Sequence, residues 1–475
     1  MSHEKFSYDV RIFGISTYTG KRRKSYTVRW EVAGERKQKT FTHSKLADSF
    51  RSDIMTAARE GVPFDIATGL PQTMLRELSR RTWYEHATEF VDVKWPHASP
   101  RHRKNIAEAL ATVTVALLPK PSTDEMQRVR SVLRNWSFNK SARGGKPVAE
   151  ATAPDKDAGL LRWIAESSPD LSKLREAPVM RRALDALALK LDGKAAAAAT
   201  VTRKRSAFYS AMEYAVELEL FEANPIDKVQ WTKPENTDVV DRRVVANPHQ
   251  ARALIRAVGE IHPALEAFFG CLYFAGLRPS EAKHLRVADC HLPEEGWGEL
   301  LLTGSTQHAG AEWTDNGEAS EDRSLKHRAD KATRPVPACP ELVELLRRHI
   351  TDFRSGPGGR LFVSRTGKAG VPLPPPYSNP VSSNTYARVW NKAREKVLSE
   401  AQVASPLARR PYDLRHAAVS LWLNAGVPAT QVAEWAGHSV NVLLKVYAKC
   451  LDGQDEVAKR RVEAALNETR PRRSA

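Results

Sequence analysis

The chain has 475 residues, of which 41% are hydrophobic, and its formal net charge is +17 at neutral pH. This length predicts about three domains, and the hydrophobic content excludes a wholly disordered chain. The polar stretch at residues 1–8 does not resemble a secretory signal, and no stretch approaches the ~20 apolar residues of a membrane span. We therefore expect a soluble protein of the cytoplasm.

The positive charge favours a polyanionic partner such as nucleic acid, because Lys and Arg release condensed counterions on binding. Charge alone leaves a merely basic protein equally open. The sequence gives no sign of a metal or cofactor site, since its histidines lack ligand spacing and its cysteines contain no C-x-x-C pair. Reduced thiols are expected at all four cysteines, which are Cys271, Cys290, Cys339 and Cys450.

Residues 1–65 are predicted to form a small module of β-sheet plus helix. Apolar residues alternate through 26–32, which indicates a half-buried strand, and a second strand follows at Arg36–Phe41 with basic side chains on its outer face. Apolar residues then recur at helical spacing over 46–57. A basic strand face can enter a DNA groove, although a solvated sheet face is the alternative. The candidate DNA contacts are Arg36, Lys37 and Lys39.

A linker at residues 66–72 leads to a region, 73–235, in which apolar residues recur at helical spacing and which we predict to be an all-α domain. The Asn224-Pro225 step ends this domain, because the residue before a proline is disfavoured in helices. One predicted helix, residues 200–221, has a basic first turn. Its candidate DNA contacts are Arg203, Lys204 and Arg205.

A second linker, residues 232–244, precedes a mixed, mainly helical domain at 245–468 with a small β-sheet. Strands are predicted at Glu299–Thr303 and Thr333–Pro337, with a long polar excursion at 305–323 between them. A basic tail occupies residues 469–475. The fold class predicted for the whole chain is therefore multidomain α+β.

Four short segments of this last domain carry residues suited to breaking a DNA phosphodiester. Such a reaction needs a nucleophile, cations for the non-bridging oxygens and a proton donor for the leaving 5′ oxygen. Arginine suits the second role because its planar fork pairs bidentately with phosphate. The segments are Ala275–Glu281 (AGLRPSE), Pro411–His416 (PYDLRH), Trp435–Ser439 (WAGHS) and Val446–Ala448 (VYA), and Tyr447 lies nine residues beyond His438.

In order and spacing these segments resemble the two arginine boxes, the G-H-S element and the tyrosine nucleophile of the tyrosine recombinases, the phage integrase family. The preceding helical region resembles the core-binding domain of that family. Residues 1–65 resemble, less specifically, the arm-binding modules of lambda-type integrases. The resemblance implies cleavage and rejoining of DNA through a 3′-phosphotyrosine, without metal or cofactor.

The resemblance also implies roles for the residues that match the boxes. Tyr447 would attack the scissile phosphate, and Arg278 and Arg415 would clamp its non-bridging oxygens. His438 would hydrogen-bond the phosphate and assist proton movement.

Three further residues complete the implied site. Lys326 would be the general acid on a β-hairpin, with Lys331 as its rival on the same hairpin, and Glu281 would support the catalytic centre. The family usually has histidine where this chain has Tyr412, whose phenol can donate a hydrogen bond to phosphate but cannot be a base at neutral pH.

The function implied by the resemblance is that of a site-specific integrase of a mobile element. It would act as a homotetramer on double-stranded DNA, at core and arm attachment sites, in the nucleoid of a bacterial host. The sequence leaves open whether an accessory directionality protein or a host DNA-bending protein is required. Two alternatives remain, a DNA-binding regulator that has lost catalysis, which only Tyr412 favours, and a type IB-like topoisomerase.

Overall fold

The computed structural model describes residues 6–19, 24–75, 81–119, 123–232, 234, 239–325, 332–367, 370–447, 459–460, 462–464 and 466. The chain divides into two compact units, Met1–Glu235 and Asn236–Ala475. The first unit begins with a sheet and continues with helices, and the second is mixed and mainly helical. The finer division of the first unit at residues 66–72 stays a prediction. Within the described ranges, no helix is long and apolar enough to cross a membrane.

The N-terminal sheet is built around one long strand. Strand β4 pairs antiparallel with β5 along one edge and with β2 and β3 in succession along the other. Helix α1 covers one face, where Phe50 and Ile54 pack on Val28 and Trp30. The elements are β1 (Phe6–Ser7), β2 (Val10–Ile12), β3 (Ser16–Thr19), β4 (Lys24–Val32), β5 (Glu35–Phe41), α1 (Ser44–Arg59) and β6 (Phe64–Asp65), which pairs with β1.

The outer face of this sheet differs from the expected one. Successive side chains of a strand point to opposite faces of the sheet. Because Phe41 is buried under α1, Lys39 and Lys37 lie on that same helix-covered face of the sheet. The Lys39 ammonium lies 4.6 Å from the Phe50 ring centroid and 2.8 Å from a Glu219 carboxylate oxygen. Of the three candidate DNA contacts on β5, Arg36 therefore lies on the outer face, whereas Lys37 and Lys39 lie on the face that α1 covers. The DNA contacts themselves stay a prediction.

The helical part of the first unit packs around aromatic side chains. The Trp83 and Phe208 rings are fully buried and meet edge to face, with centroids 5.5 Å apart. Helix starts follow local sequence signals, such as Ser99 accepting from the His102 amide ahead of a helix that begins with proline. The helices are α2 (Trp83–Lys94), α3 (Pro100–Leu117), α4 (Thr123–Val132), α5 (Asp155–Ser167), α6 (Ala177–Leu187) and α7 (Ala198–Glu217).

The second unit has a helical core beside a three-stranded sheet, in which Gly298–Leu302 is the central strand between Arg334–Ala338 and Cys290–His291. Helix α9 is apolar on every side and lies at the centre of the core, where Phe269 stacks on Trp390 with ring centroids 5.0 Å apart. The helices are α8 (Pro248–Ile261), α9 (Glu266–Phe274), α10 (Pro279–His284), α11 (Pro340–Asp352), α12 (Ser383–Val397), α13 (Glu400–Ala404), α14 (Asp413–Asn424), α15 (Ala429–Ala436) and α16 (Val440–Tyr447).

One pair of strands flanks the predicted excursion at 305–323, and a second pair lies within it. Strand β11 lies at the sheet edge, which tolerates Pro335 and Pro337 because their missing N–H groups face away from the ladder. Within the excursion β9 and β10 pair antiparallel, and Trp313 between them is fully buried. The strands are β7 (Cys290–His291), β8 (Gly298–Leu302), β9 (Ser305–His308), β10 (Ser320–Arg323) and β11 (Arg334–Ala338).

Candidate active site

The first arginine of the site sits at the start of a helix. Arg278 is extended, as a residue before proline should be, and its backbone N–H donates to a Glu281 carboxylate oxygen at 2.8 Å. Its guanidinium donates to the other Glu281 oxygen at 2.7 Å and to the Gly437 carbonyl at 2.9 Å. About a fifth of the side chain, 20%, stays exposed. Arg278 therefore links the first arginine box to the G-H-S element while keeping an edge open to an incoming anion.

Glu281 is a buried carboxylate shared between arginines. One of its oxygens pairs with Arg278 and the other lies 2.9 Å from the Arg334 guanidinium. Burial alone would raise the pKa of Glu281, but the positive charges of Arg334, Arg278 and Arg415 outweigh it and hold the pKa at about 2. The carboxylate is therefore ionised throughout the physiological range and anchors the cationic cluster.

Arg334, which sequence reasoning did not single out, belongs to this cluster. It opens strand β11 and is almost fully buried, on the same side of the strand as Val336 and Ala338. A signal was present, because strand alternation places an arginine at a core-facing position of the R-P-V-P-A run, and a buried cation needs a partner. Its partner Glu281 is not predictable from that pattern.

The second arginine is the most enclosed. The Arg415 side chain is fully buried and donates to the carbonyls of Gly276 and Ala436. One of its nitrogens also lies 3.0 Å from His438 Nε2. His438 follows Gly437, whose left-handed backbone, with φ of 60°, ends helix α15 and turns the imidazole inward.

The protonation state of His438 follows from these neighbours. Burial lowers the pKa of His438 to about 3, and the positive charges of Arg415 and Arg278 act in the same direction. The ring is therefore neutral at physiological pH. Its Nε2 faces the Arg415 donor, and its buried Nδ1 has no hydrogen-bond partner among the described residues.

Tyr447 ends helix α16 and is almost fully buried in a small cluster with Val432 and Leu443. Its hydroxyl lies 3.0 Å from His416 Nδ1, and its ring centroid lies 6.3 Å from that of His438. The sequence predicted no role for His416, which lies in the first turn of α14. The contact with the phenol joins it to the site.

Tyr412 stands between these groups. Its ring meets the His416 ring edge to face with centroids 5.1 Å apart, and its phenol lies near the Arg278 guanidinium. The structure thus brings together six of the residues predicted to form the site, which lie on the ends of α10, α14, α15 and α16. They are Arg278, Glu281, Tyr412, Arg415, His438 and Tyr447.

Other predicted residues lie elsewhere. Lys326 and Lys331 fall outside the described residues. In the first unit Arg203 is exposed, while Lys204 is buried with its ammonium 3.3 Å from Glu108, and Arg205 lies over the Tyr209 ring at 5.6 Å. In the parts of the chain that the structure covers, no group of three or more His, Cys, Asp or Glu side chains could hold a metal ion.

The charge balance of the site is strongly positive. Three guanidinium groups surround a single carboxylate, and the pKa values of His416 and His438 are lowered to about 4 and about 3, so neither imidazole adds a charge at neutral pH. A cationic, partly dehydrated cluster with neutral imidazoles and a phenol favours a phosphate group, because guanidinium groups pair well with its negative charge.

One protein family matches part of the chain. Residues 245–453 match the model of the phage integrase family, whereas no curated protein matches the chain. Among solved structures, a Tn1549 transposon integrase in complex with a circular intermediate DNA is 15% identical, with a TM-score of 0.44, and the match covers 70% of this chain and 98% of that one. XerH recombinase bound to palindromic difH is 15% identical, with a TM-score of 0.44 and coverages of 81% and 94%.

A lambda integrase dimer bound to a core site is 13% identical, with a TM-score of 0.42, and the match covers 89% of this chain and 91% of that one. These TM-scores are too low to align individual residues, so the assignment rests on the family model and on its agreement with the boxes read from the sequence. Residues 245–453 therefore form a domain of the phage integrase family, the tyrosine recombinases.

Proposed function

We propose that this recombinase is an integrase that cuts and rejoins DNA through a 3′-phosphotyrosyl bond to Tyr447, inserting or excising a mobile element. The proposal is supported by the contacts that bring four side chains into one cationic cluster, namely Arg278, Arg415, His438 and Tyr447. These residues come from segments far apart in sequence. A packing role for each of them separately would not require two guanidinium groups beside a buried phenol.

The chemistry follows from what each group can do. Arg278 and Arg415 neutralise the non-bridging oxygens as charge grows on them in the transition state. The Nδ1–H of neutral His438 has no protein partner among the described residues and donates to one of those oxygens. Attack by Tyr447 releases a 5′ hydroxyl, to which Lys326 supplies the proton. The phosphotyrosine retains the bond energy, so religation needs no nucleotide cofactor.

Site recognition is assigned to the first unit. On the outer face of the N-terminal sheet Arg11, Arg29 and Arg36 are all exposed, and Glu31 is the cross-strand neighbour of Arg11 and Arg36. We propose that this face contacts a DNA groove at arm sites, and that the helical region with Arg203 and Arg205 contacts the core site. A smaller contribution to DNA binding is expected from Lys37, Lys39 and Lys204, because each forms an ion pair within the protein.

The decisive experiment is the capture of a covalent adduct. Wild-type protein is incubated with nicked genomic fragments that flank its gene, denatured, and assayed for DNA that stays attached to protein. The adduct should form with wild type and with Tyr386→Phe, a control tyrosine whose hydroxyl bonds Ser383 at the surface, but not with Tyr447→Phe. Sequencing the attached strand then identifies the attachment site.

Three outcomes separate the alternatives. DNA binding without any adduct would refute the integrase and favour a regulator. Supercoil relaxation that is independent of DNA sequence would favour a type IB-like topoisomerase. An adduct that Tyr447→Phe still forms would remove Tyr447 from the reaction. The native mass of the complex on the recovered site tests the proposed tetramer, and adding or omitting a DNA-bending protein tests the need for accessory factors.

A further inference from the structure

The phenol of Tyr447 has one close neighbour that the roles above do not use. Its hydroxyl lies 3.0 Å from Nδ1 of His416, and the two rings are tilted with centroids 5.7 Å apart. The contact bridges 31 residues of sequence and joins the first turn of α14 to the last residue of α16. The end of α16 is held in turn by the Val446 carbonyl, which accepts from the Val240 amide at 2.8 Å.

The surroundings of His416 decide which partner carries the proton. The charges that act on the ring are Asp413 and Arg415 of its own helix and Arg410 just before that helix, and the Tyr412 and Tyr447 rings pack against it. Burial lowers the pKa of His416 to about 4; Asp413 acts in the opposite direction, and Arg410 and Arg415 add to the lowering. The imidazole is therefore neutral at physiological pH. With hydrogen on Nε2, its Nδ1 lone pair accepts the bond that the phenol donates.

The other groups near the phenol are less able to accept its proton. His438 Nε2 faces an Arg415 donor at 3.0 Å, so the lone pair of that nitrogen is already engaged. Tyr412, which stands where the family usually has histidine, is itself a phenol and offers no basic nitrogen. Among the described residues, His416 combines an available lone pair with a position at the nucleophilic oxygen.

We propose that His416 is a catalytic residue of strand cleavage, the base that accepts the proton of the Tyr447 hydroxyl. The inference rests on the proposed function and deepens it. As the bond from the Tyr447 oxygen to phosphorus forms, its O–H bond breaks and the proton passes to His416 Nδ1, which becomes an imidazolium. The bond from phosphorus to the 5′ oxygen breaks at the same time, and the leaving oxygen takes its proton from the general acid. In religation His416 returns the proton to the departing phenolate.

The test measures cleavage rate against pH on the attachment-site duplex recovered from the adduct experiment. The cleavage rate of wild type should be constant between pH 6 and 8, because His416 is already unprotonated in that range. His416→Ala should be slower by about 100-fold at pH 7, and its rate should rise about tenfold per pH unit because hydroxide must ionise the phenol instead. His416→Asn keeps a hydrogen-bond acceptor without basicity, and it should show the same slope as His416→Ala.

Controls separate this proposal from the one on which it rests. His291→Asn changes an exposed histidine of the same unit and should leave rate and pH profile unchanged. If wild type forms an adduct but His416→Asn cleaves at the wild-type rate, or if the loss in His416→Ala is equal at every pH, His416 is not the base and the integrase assignment stands. If wild type forms no adduct, the proposed function itself fails.

Discussion

Replacing Glu281 by glutamine tests whether one carboxylate organises the site. The substitution keeps the size of the side chain and removes its charge. It leaves Arg334, only 2% exposed, and the fully buried Arg415 without their shared counter-charge. We expect a large loss of stability in the second unit and a loss of cleavage, because Arg278 also loses the partner that holds it at the phosphate position.

The size of the effect follows from the pKa of Glu281. Its ordinary value of 4.5 falls to about 2 in the folded protein, a difference worth about 3 kcal/mol at 1.36 kcal/mol per unit. The independent expectation for removing one partner of a buried ion pair is about 3–5 kcal/mol. Because the folded-state pKa is depressed, this stabilisation is complete above pH 4.5 and disappears as the pH falls towards 2.

The assay is amide hydrogen exchange of the full-length protein, followed by mass spectrometry of peptides from α10, α14 and α15. It resolves the second unit separately, which a single melting curve of a chain with two compact units does not. At pH 7 the opening free energy of these peptides should fall by about 3 kcal/mol in Glu281→Gln. At pH 4 and below, the difference in opening free energy between the variant and wild type should become smaller.

A matched control is Glu341→Gln, which removes an exposed partner of Arg252 in the same unit. An exposed ion pair contributes less than about 1 kcal/mol, so this variant should exchange like wild type. If the opening free energy falls no further in Glu281→Gln than in the control variant, the Glu281 carboxylate does not stabilise the unit as expected. A loss of equal size at pH 7 and at pH 3 would show that packing, and not charge, is responsible.

Three further predictions concern the same unit. Arg415→Ala should abolish adduct formation and leave DNA binding intact, because phosphate clamping acts mainly in the transition state; gel shift and adduct assay on one duplex measure both, and near-normal cleavage would exclude Arg415 from the site. Gly437→Ala should destabilise the unit by about 1–3 kcal/mol, because φ is +60° and an added Cβ would collide with the Arg334 guanidinium; unchanged exchange of α15 amides would contradict it. Trp390→Ala should lower the free energy of unfolding of the unit by about 3–5 kcal/mol, because the buried Trp390 ring stacks on Phe269. Hydrogen exchange in peptides of α9 and α12 measures the change. Exchange at the wild-type rate there would show that the stacked rings contribute little stability.

Much of the local structure could be predicted from the sequence. Alternating apolar residues predicted the strand that forms as Lys24–Val32, and helical spacing over 200–221 predicted the helix that forms as Ala198–Glu217. These predictions hold because the periods of strand and helix are properties of neighbouring residues. Boundaries shifted by a few residues, since helix ends depend on caps and on packing.

The order of the four motif segments also predicted which residues the structure brings together, and the family model confirms the resemblance on which that prediction rested. The DNA contacts were harder to predict, because Lys39 and Lys204 have basic side chains that bond within the protein. A basic residue in a strand or first helical turn can face DNA or a carboxylate elsewhere in the fold. Sequence spacing does not distinguish the two.

The side chains of the site and their order along the chain, from Arg278 to Tyr447, are evident from the residues alone. The folded chain was needed to show that Arg334 shares the Glu281 carboxylate and that the Tyr447 phenol contacts His416. A buried charge or hydroxyl is satisfied by whichever group the packing brings within about 3 Å. That neighbour is set by how whole helices and strands pack, and the local pattern of residues does not specify it.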